Sequence, residues 1–348
     1  MISTRTLPIT LCSVLLLSIS ILVIYSSSAA LAFGQLMFAL VGALLYFFIS
    51  SASHDSFLNL SKPLYLLIIA LLIFVLILGI ETRGSIRWIP VGGLNIQPSE
   101  FAKPVIIICL TSFWLKALPT WFNILKSGFL IIPLLFLIFK QPDLGTTLTI
   151  SAIWFGILFA SHVSTKKALT VLLMLLLLIP VSWFTLQDYQ RSRITSFLSP
   201  ETDPLGVGYN LIQSRVAVGS GQIFGRGLGY GTQSRLQFLP EFRTDFIFAT
   251  IAEEFGFLGS ALILFIYIFL VGYSFKVAIS SDREGSILAS GVAVMLLFQT
   301  TVNIGMNLGL VPITGITLPL ISYGGSSLIS TMISLGLVAS VARSRRKD

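Results

Sequence analysis

A chain of 348 residues that is 55% hydrophobic and only 10% charged falls outside the range of soluble domains, which average about 45–50% apolar and about 25% charged residues. It reads as an all-α integral membrane protein, long enough for about ten helices of about 20 residues and one sizeable loop. The formal net charge of +8 reports topology in such a chain, basic residues holding loops on the cytoplasmic side, rather than nucleic-acid binding.

Apolar windows place spans near 7–27, 31–50, 64–81, 101–117, 124–140, 144–161, 168–186, 246–274, 287–309 and 314–341. The first is long enough to cross a bilayer and lacks an A-x-A-like cleavage site, so it reads as a span and not a signal peptide. Ten spans put both termini on one side. The tail RSRRK (343–347) and the loops with Lys116, Lys166, Lys167, Lys276 and Arg283 assign that side to the cytoplasm. Cys12 and Cys109 lie inside apolar runs and read as core filling. The whole of 1–348 reads as a single polytopic membrane domain.

The opposite side gathers charge in three places: 82–103, 140–143 and the connection 187–245 between spans seven and eight. That connection is about 59 residues long, well beyond ordinary loops. Its stretch GVGYNLIQSRVAVGSGQIFGRGLGYG alternates apolar periodicity with glycines, which predicts a large extracytoplasmic loop of short interfacial helices joined by glycine turns.

Four stretches carry chemistry-capable residues. In RGSIRWIPVGGLNIQPSEFAKP (83–104), two arginines precede a Pro-Gly-Gly turn. Pro98 and Ser99 then open a helix with Glu100 in its first turn and Lys103 on the same face. The group is either an ion-pair network tying loop to helix or a cationic clamp for phosphate oxygens. In KQPDLGTT (140–147), Asp143 is an N-cap, a partner for the basic residues of the first stretch, or a ligand for a divalent cation. In FLPEFRTDFIFATIAEEFG (238–256), Thr244 reads as the N-cap of span eight and Asp245 as a first-turn acid. Asp245 either satisfies the helix dipole or serves as a reaction centre. Glu253 and Glu254 lie about two turns deeper, where ionisable groups usually face a cavity or a partner. In NIGMNLGLVPITGITLPLISYGGSS (303–327), Pro312, Gly315, Pro319, Gly324 and Gly325 interrupt the last two spans. Broken backbone at membrane depth lines a cavity or permits close packing, and Asn303, Ser322, Tyr323, Ser326 and Ser327 would be its polar lining. His54 and His162 are the only histidines. With no Cys/His cluster, nucleotide loop or serine elbow, nothing points to nucleotide, haem or flavin.

In this order the stretches RGSIRWIPVGG with QPSEFAKP, QPDLGT, FLPE..TDFIFA.IAEE.G and GMNLGLVPITGI.LP..SYGGSS resemble the SEDS family of shape, elongation, division and sporulation proteins over nearly the whole chain. GMNLGLVPITGI is more similar to its rod-shape branch than to its division branch. The resemblance implies a glycosyltransferase that polymerises lipid II into glycan strands on the outer face of the bacterial cytoplasmic membrane. It implies Asp245 as catalytic base. It implies precursor binding by Arg83, Arg87, Trp88, Gln97, Ser99, Glu100, Lys103 and Asp143, to which Glu241 and Ser326 are added as polar neighbours. Many members carry His where this chain has Arg243, which replaces a proton relay with a fixed cation beside the base. A divalent cation, Mg2+ or Mn2+, is expected at the diphosphate, with Asp143 as a ligand. The implied partners are the lipid-linked nascent glycan, a class B penicillin-binding protein transpeptidase and other membrane proteins of the elongation complex. The competing readings are a lipid II flippase and a non-catalytic scaffold.

Overall fold

The computed structural model describes residues 4–82, 85–92, 94–199 and 208–344. Each of the ten apolar windows is matched by a helix: α1 (Leu7–Ser27), α2 (Ala29–Ser51), α4 (Ser61–Leu78), α5 (Pro98–Lys116), α6 (Trp121–Lys140), α7 (Leu144–Ala160), α8 (Thr165–Ser182), α12 (Ile247–Ile279), α13 (Arg283–Leu308) and α14 (Gly325–Ser344). Among the described residues, seven of these (α1, α2, α4, α6, α12, α13 and α14) are long and apolar enough to cross a membrane. A six-residue helix, α3 (His54–Asn59), joins α2 to α4. The connection after α8 carries α9 (Asp188–Leu198), α10 (Tyr209–Ser220) and α11 (Thr232–Arg235), the short helices its periodicity predicts.

Burial ranks the helices. In the apolar window of α14, 83% of residues are buried against 22% in α4, so α14 is an axis and α4 belongs to the rim. The sequence explains the difference. GSSLISTMISLG puts small and hydroxyl residues along α14, which lets neighbouring backbones approach closely. Gly336 takes Ile49 and Gly42 takes Met332 where a side chain would stand, and α2 lies along α14 as a result. The rim helices α4 and α6 instead turn Leu66, Ile77, Phe122 and Phe129 outward, the pattern of a surface solvated by lipid. Cys12 and Cys109 are buried free thiols.

Three departures from the sequence reading place the site. First, three short strands, β1 (Ile80–Thr82), β2 (Ser85–Val91) and β3 (Leu94–Ile96), pair as a small antiparallel meander, where only a turn was expected. Val91 pairs with Leu94 around Gly92, whose φ of +57° suits a primed hairpin turn. Second, the last window does not start a helix at 314. Residues 309–324 run without regular structure, from the left-handed cap Gly309 of α13 to α14. Pro312 and Pro319 withhold backbone donors there. Third, α12 is broken at Gly256, with φ +67° and ψ −161°, a region essentially confined to glycine.

The break in α12 explains the glycine-rich loop. Carbonyls and N–H groups freed from the helix ladder pair with loop backbone: Arg226 N donates to Glu253 O (2.9 Å), Gly227 N to Glu254 O (3.0 Å) and Phe257 N to Gln222 O (2.8 Å). A Cβ on Gly221, Gly225 or Gly256 would meet main-chain atoms directly. Gly256→Ala is therefore expected to destabilise the protein by about 1–3 kcal/mol through backbone strain. A thermal melt in detergent, compared with Gly219→Ala, where nothing lies within 4 Å, checks this.

Candidate active site

The carboxylates of the third stretch divide into two groups. Glu253 is fully buried and spends both oxygens on α11. Oε1 accepts from Gln233 N (2.9 Å) and Thr232 Oγ1 (3.3 Å), Oε2 from Ser234 N (3.3 Å) and Ser234 Oγ (3.2 Å). Glu254 Oε1 accepts from Gly229 N (3.0 Å) and Ser26 Oγ (3.2 Å). These two acids hold the loop to the bundle. Glu241, at φ +56°, accepts the Thr244 hydroxyl at 3.0 Å.

Asp245 is placed differently. Thr244 is not the N-cap. Phe246 occupies that position and α12 begins at Ile247, so Asp245 sits on the turn just before the helix, half-buried. Its main chain is clamped. Asn303 and Asn307, four residues apart on one face of α13, each donate Nδ2 to Asp245 O at 3.0 Å. Asn307 Oδ1 also accepts from Ala249 N at 2.9 Å. The carboxylate faces the broken segment: Oδ2 lies 3.5 Å from where a Cβ on Gly315 would stand, and Arg193 Nη1 lies 3.9 Å from the same point. Arg193, on α9, donates to Ile313 O at 3.3 Å. Arg243 is turned elsewhere, its Nε on Ser27 Oγ at 2.8 Å and its guanidinium over the Phe242 ring. The cation grouped with Asp245 is thus Arg193, not Arg243.

The broken segment is the junction of all four stretches. Ser322 Oγ donates to Thr244 O (2.6 Å) and Tyr323 N to Arg243 O (2.8 Å), tying it to the Asp245 turn. Ile316 O accepts from Asn303 Nδ2 at 2.7 Å. At Gly145, a Cβ would meet Ile316 and the carbonyl of Thr314, so the start of α7 packs on the same strand of chain. Gln97 N donates to Ser326 Oγ at 2.9 Å, fixing the start of α5 there too. Buried hydroxyls and asparagines take up the backbone groups that the missing helix leaves open, as a non-aqueous setting requires.

The first stretch forms a wall whose polar groups are paired internally. Asp143 caps α7, its Oδ1 accepting Thr146 N at 3.1 Å, while Oδ2 accepts Gln97 Nε2 and Ser99 Oγ, each at 3.1 Å. Donors surround it, and a cation needs acceptors, so Asp143 does not fit the ligand role. Lys103 is 1% exposed and its Nζ rests on Glu100 Oε2 at 2.6 Å. Arg87 donates Nε to Gln141 O at 2.8 Å and Nη2 to Pro142 O, bracing the turn before Asp143. A free cationic clamp is therefore not what Arg87 and Lys103 present. Trp88 is half-buried on β2, and Arg83 lies outside the described residues. A cavity of about 620 Å³ between α4, α5 and α6, lined by Lys62, Tyr65 and Lys126 among others, touches no residue of this junction.

Sequence reasoning missed Arg193, Arg215 and Asn307. Arg215 Nη2 donates to Gly309 O at 2.9 Å and Ser214 Oγ to Asn307 O at 2.8 Å, so α9 and α10 both deliver an arginine to the broken segment. The available signal was charge: QRSR and QSRV are basic points in otherwise amphipathic helices. Asn307→Ala removes acceptor and donor at once and leaves buried main-chain groups unpaired, which costs about 1–3 kcal/mol. It should also lower turnover more than substrate KM, because it moves the Asp245 turn and not a binding surface. Steady-state kinetics on the purified variant reads the split.

The fold and this junction define a class: a multi-pass membrane protein whose polar groups converge on the interrupted stretch between α13 and α14. The family described as cell cycle protein, FtsW/RodA/SpoVE, matches residues 1–347, and the chain belongs to that family. It is 39% identical over 287 residues to the peptidoglycan glycosyltransferase MrdB of Escherichia coli (strain K12), covering 81% of this chain and 78% of that one. It is 38% identical over 356 residues to the stage V sporulation protein E of Bacillus subtilis (strain 168), covering 96% of each. Among solved structures it resembles a chain of a peptidoglycan synthase complex that coordinates polymerization and crosslinking, with a TM-score of 0.84, 32% identity and 98% of both chains covered. It also resembles the rod shape determining protein RodA of Thermus thermophilus, with a TM-score of 0.73, 30% identity and coverage of 98% and 97%.

Proposed function

We propose that this chain is a peptidoglycan glycosyltransferase that polymerises lipid II during cell elongation, with Asp245 as general base and a polyprenyl diphosphate as leaving group. The observation that carries this reading is Asp245 itself. Its main chain is fixed by Asn303 and Asn307, the residue is half-buried, and Arg193 shares the space beside Gly315. The acceptor sugar hydroxyl must lose a proton as it attacks the donor's anomeric carbon, which a positioned carboxylate accepts. The departing diphosphate needs positive charge more than a proton. Arg193 and Arg215, which α9 and α10 bring to the broken segment, supply it. One carboxylate then suffices, without the paired acids of a glycosidase, and displacement proceeds with inversion. Trapping of a covalent glycosyl-enzyme would overturn that mechanism.

Gln97, Ser99, Glu100, Lys103, Asp143 and Ser326 act in this proposal as the wall that positions the precursor, with Arg87, Trp88 and Glu241 around its rim, and Arg83 is a further residue that binds it. A divalent cation at the diphosphate would add charge stabilisation there. The likeness to MrdB supports the activity, and the likeness to a chain of a peptidoglycan synthase complex supports a class B penicillin-binding protein as partner. The site side, with the loop 187–245, faces outward from the cytoplasmic membrane, both termini face the cytoplasm, and the chain is one polytopic domain. A flippase would use the same broken helices. Incubating the purified chain with labelled lipid II in detergent and resolving the products by gel separates the two, since polymerisation yields a ladder of glycan chains and flipping yields none.

A further inference from the structure

A second polar cluster lies far from the junction in sequence, where α3, the start of α13 and the end of α14 meet. His54 is 4% exposed, and its Nε2 is buried without a hydrogen-bond partner. That nitrogen lies 3.6 Å from Asp55 Oδ1 and 3.9 Å from Glu284 Oε2. One ligand atom each from His54, Asp282 and Glu284 falls within 4.8 Å of the others. Asp282 spends Oδ1 on capping α13 through Gly285 N (3.0 Å), which leaves Oδ2. Among the described residues, two neighbouring cations are engaged elsewhere: Arg283 Nη2 donates to Trp114 O (3.0 Å) and Arg343 Nη1 to Ser51 O (3.2 Å).

The other ring nitrogen has a hydroxyl beside it. Ser344 Oγ donates to Val341 O at 3.0 Å and lies 3.4 Å from His54 Nδ1, where its oxygen can accept from an Nδ1–H. With the proton on Nδ1, Nε2 turns its lone pair toward the carboxylates, the form in which an imidazole ligates an ion. A ring nitrogen facing carboxylate oxygens calls for positive charge between them, which a proton on the ring or a bound ion supplies. Separations of 3.6 and 3.9 Å are too long for hydrogen bonds. They approach the spacing of about 3.4 Å between ligand atoms that share a tetrahedral ion at bonds of about 2.0–2.2 Å. A ligating histidine whose far nitrogen is held by an outer partner is the usual arrangement at such ions.

We propose that His54, Asp282 and Glu284, with Asp55 alongside, bind one divalent first-row transition cation, Zn2+ being the best match to one imidazole and several carboxylates. The bound ion clamps the α2–α4 connection to the ends of α13 and α14, remote from the chemistry at Asp245. The test uses the full chain in detergent, without a polyhistidine tag, stripped with EDTA and exchanged into chelator-free buffer. Titration with Co2+ should give one equivalent per chain with visible absorption bands that Zn2+ abolishes, and Zn2+ should raise the melting temperature. H54Q and E284Q should each weaken Co2+ binding roughly tenfold or more and remove the thermal shift. Absence of stoichiometric binding overturns the proposal, as does unchanged affinity in E284Q. If H54Q fails to fold, E284Q, which keeps the imidazole, decides alone.

Discussion

Asp245→Asn should abolish the glycan ladder, a loss of at least about 10²–10⁴-fold, while the protein still folds and still binds labelled lipid II. The magnitude is what positioned base catalysis contributes. The clean separation of activity from folding follows from where the clamp acts. Asn303 and Asn307 hold the main-chain carbonyl of Asp245 and the N–H of Ala249, none of which the substitution touches. The amide matches the carboxylate in size and removes its capacity to accept a proton. Asp245→Glu provides the graded control. The extra methylene carries the carboxylate toward Gly315, where the missing Cβ leaves space, so a small residual ladder should survive. An Asn variant that retains a tenth of wild-type polymerisation would remove Asp245 from the reaction.

The helices were legible because a 20-residue apolar run has few alternatives, and the meander was not. RGSIRWIPVGGLNI is too short and too basic to stand out beside such runs, although Gly-Gly between alternating apolar residues is a hairpin signal. The break at Gly256 was hidden for a related reason. Hydropathy is continuous through FGFLGSALILF, whereas the interruption depends on a loop over thirty positions earlier supplying Gly221 and Gly225 to receive its backbone. At the site, Asp143 as cap and the helix start at Pro98 and Ser99 followed from local rules, whereas the bond from Gln97 N to Ser326 did not. Arg193 and Asn307 did not, because their meaning lies in a tertiary contact with residues 309–324. Arg243 misled for the converse reason: adjacency in sequence to Asp245 placed its backbone nearby, but its side chain follows Ser27 and Phe242.

Lys103→Met should destabilise the protein by about 3–5 kcal/mol, the range expected when one partner of a buried ion pair is removed. With Lys103 1% exposed and 2.6 Å from Glu100, the substitution strands a carboxylate inside the bundle. The double substitution Glu100→Gln with Lys103→Met removes both charges and should recover most of that loss in a detergent melt. The pair also ties helices together: Ser330 Oγ on α14 donates to Glu100 O at 2.7 Å, and Gln97 N, three residues before Glu100, is held by Ser326. Loosening α5 there loosens the wall beside the broken segment. A ladder assay on the double variant then separates the two roles of Lys103. Activity that returns with stability marks a positioning residue, and activity that stays lost marks an ammonium that meets the diphosphate. The first outcome is expected, because a side chain this buried and already paired would have to surrender Glu100 before it could reach a substrate from solvent.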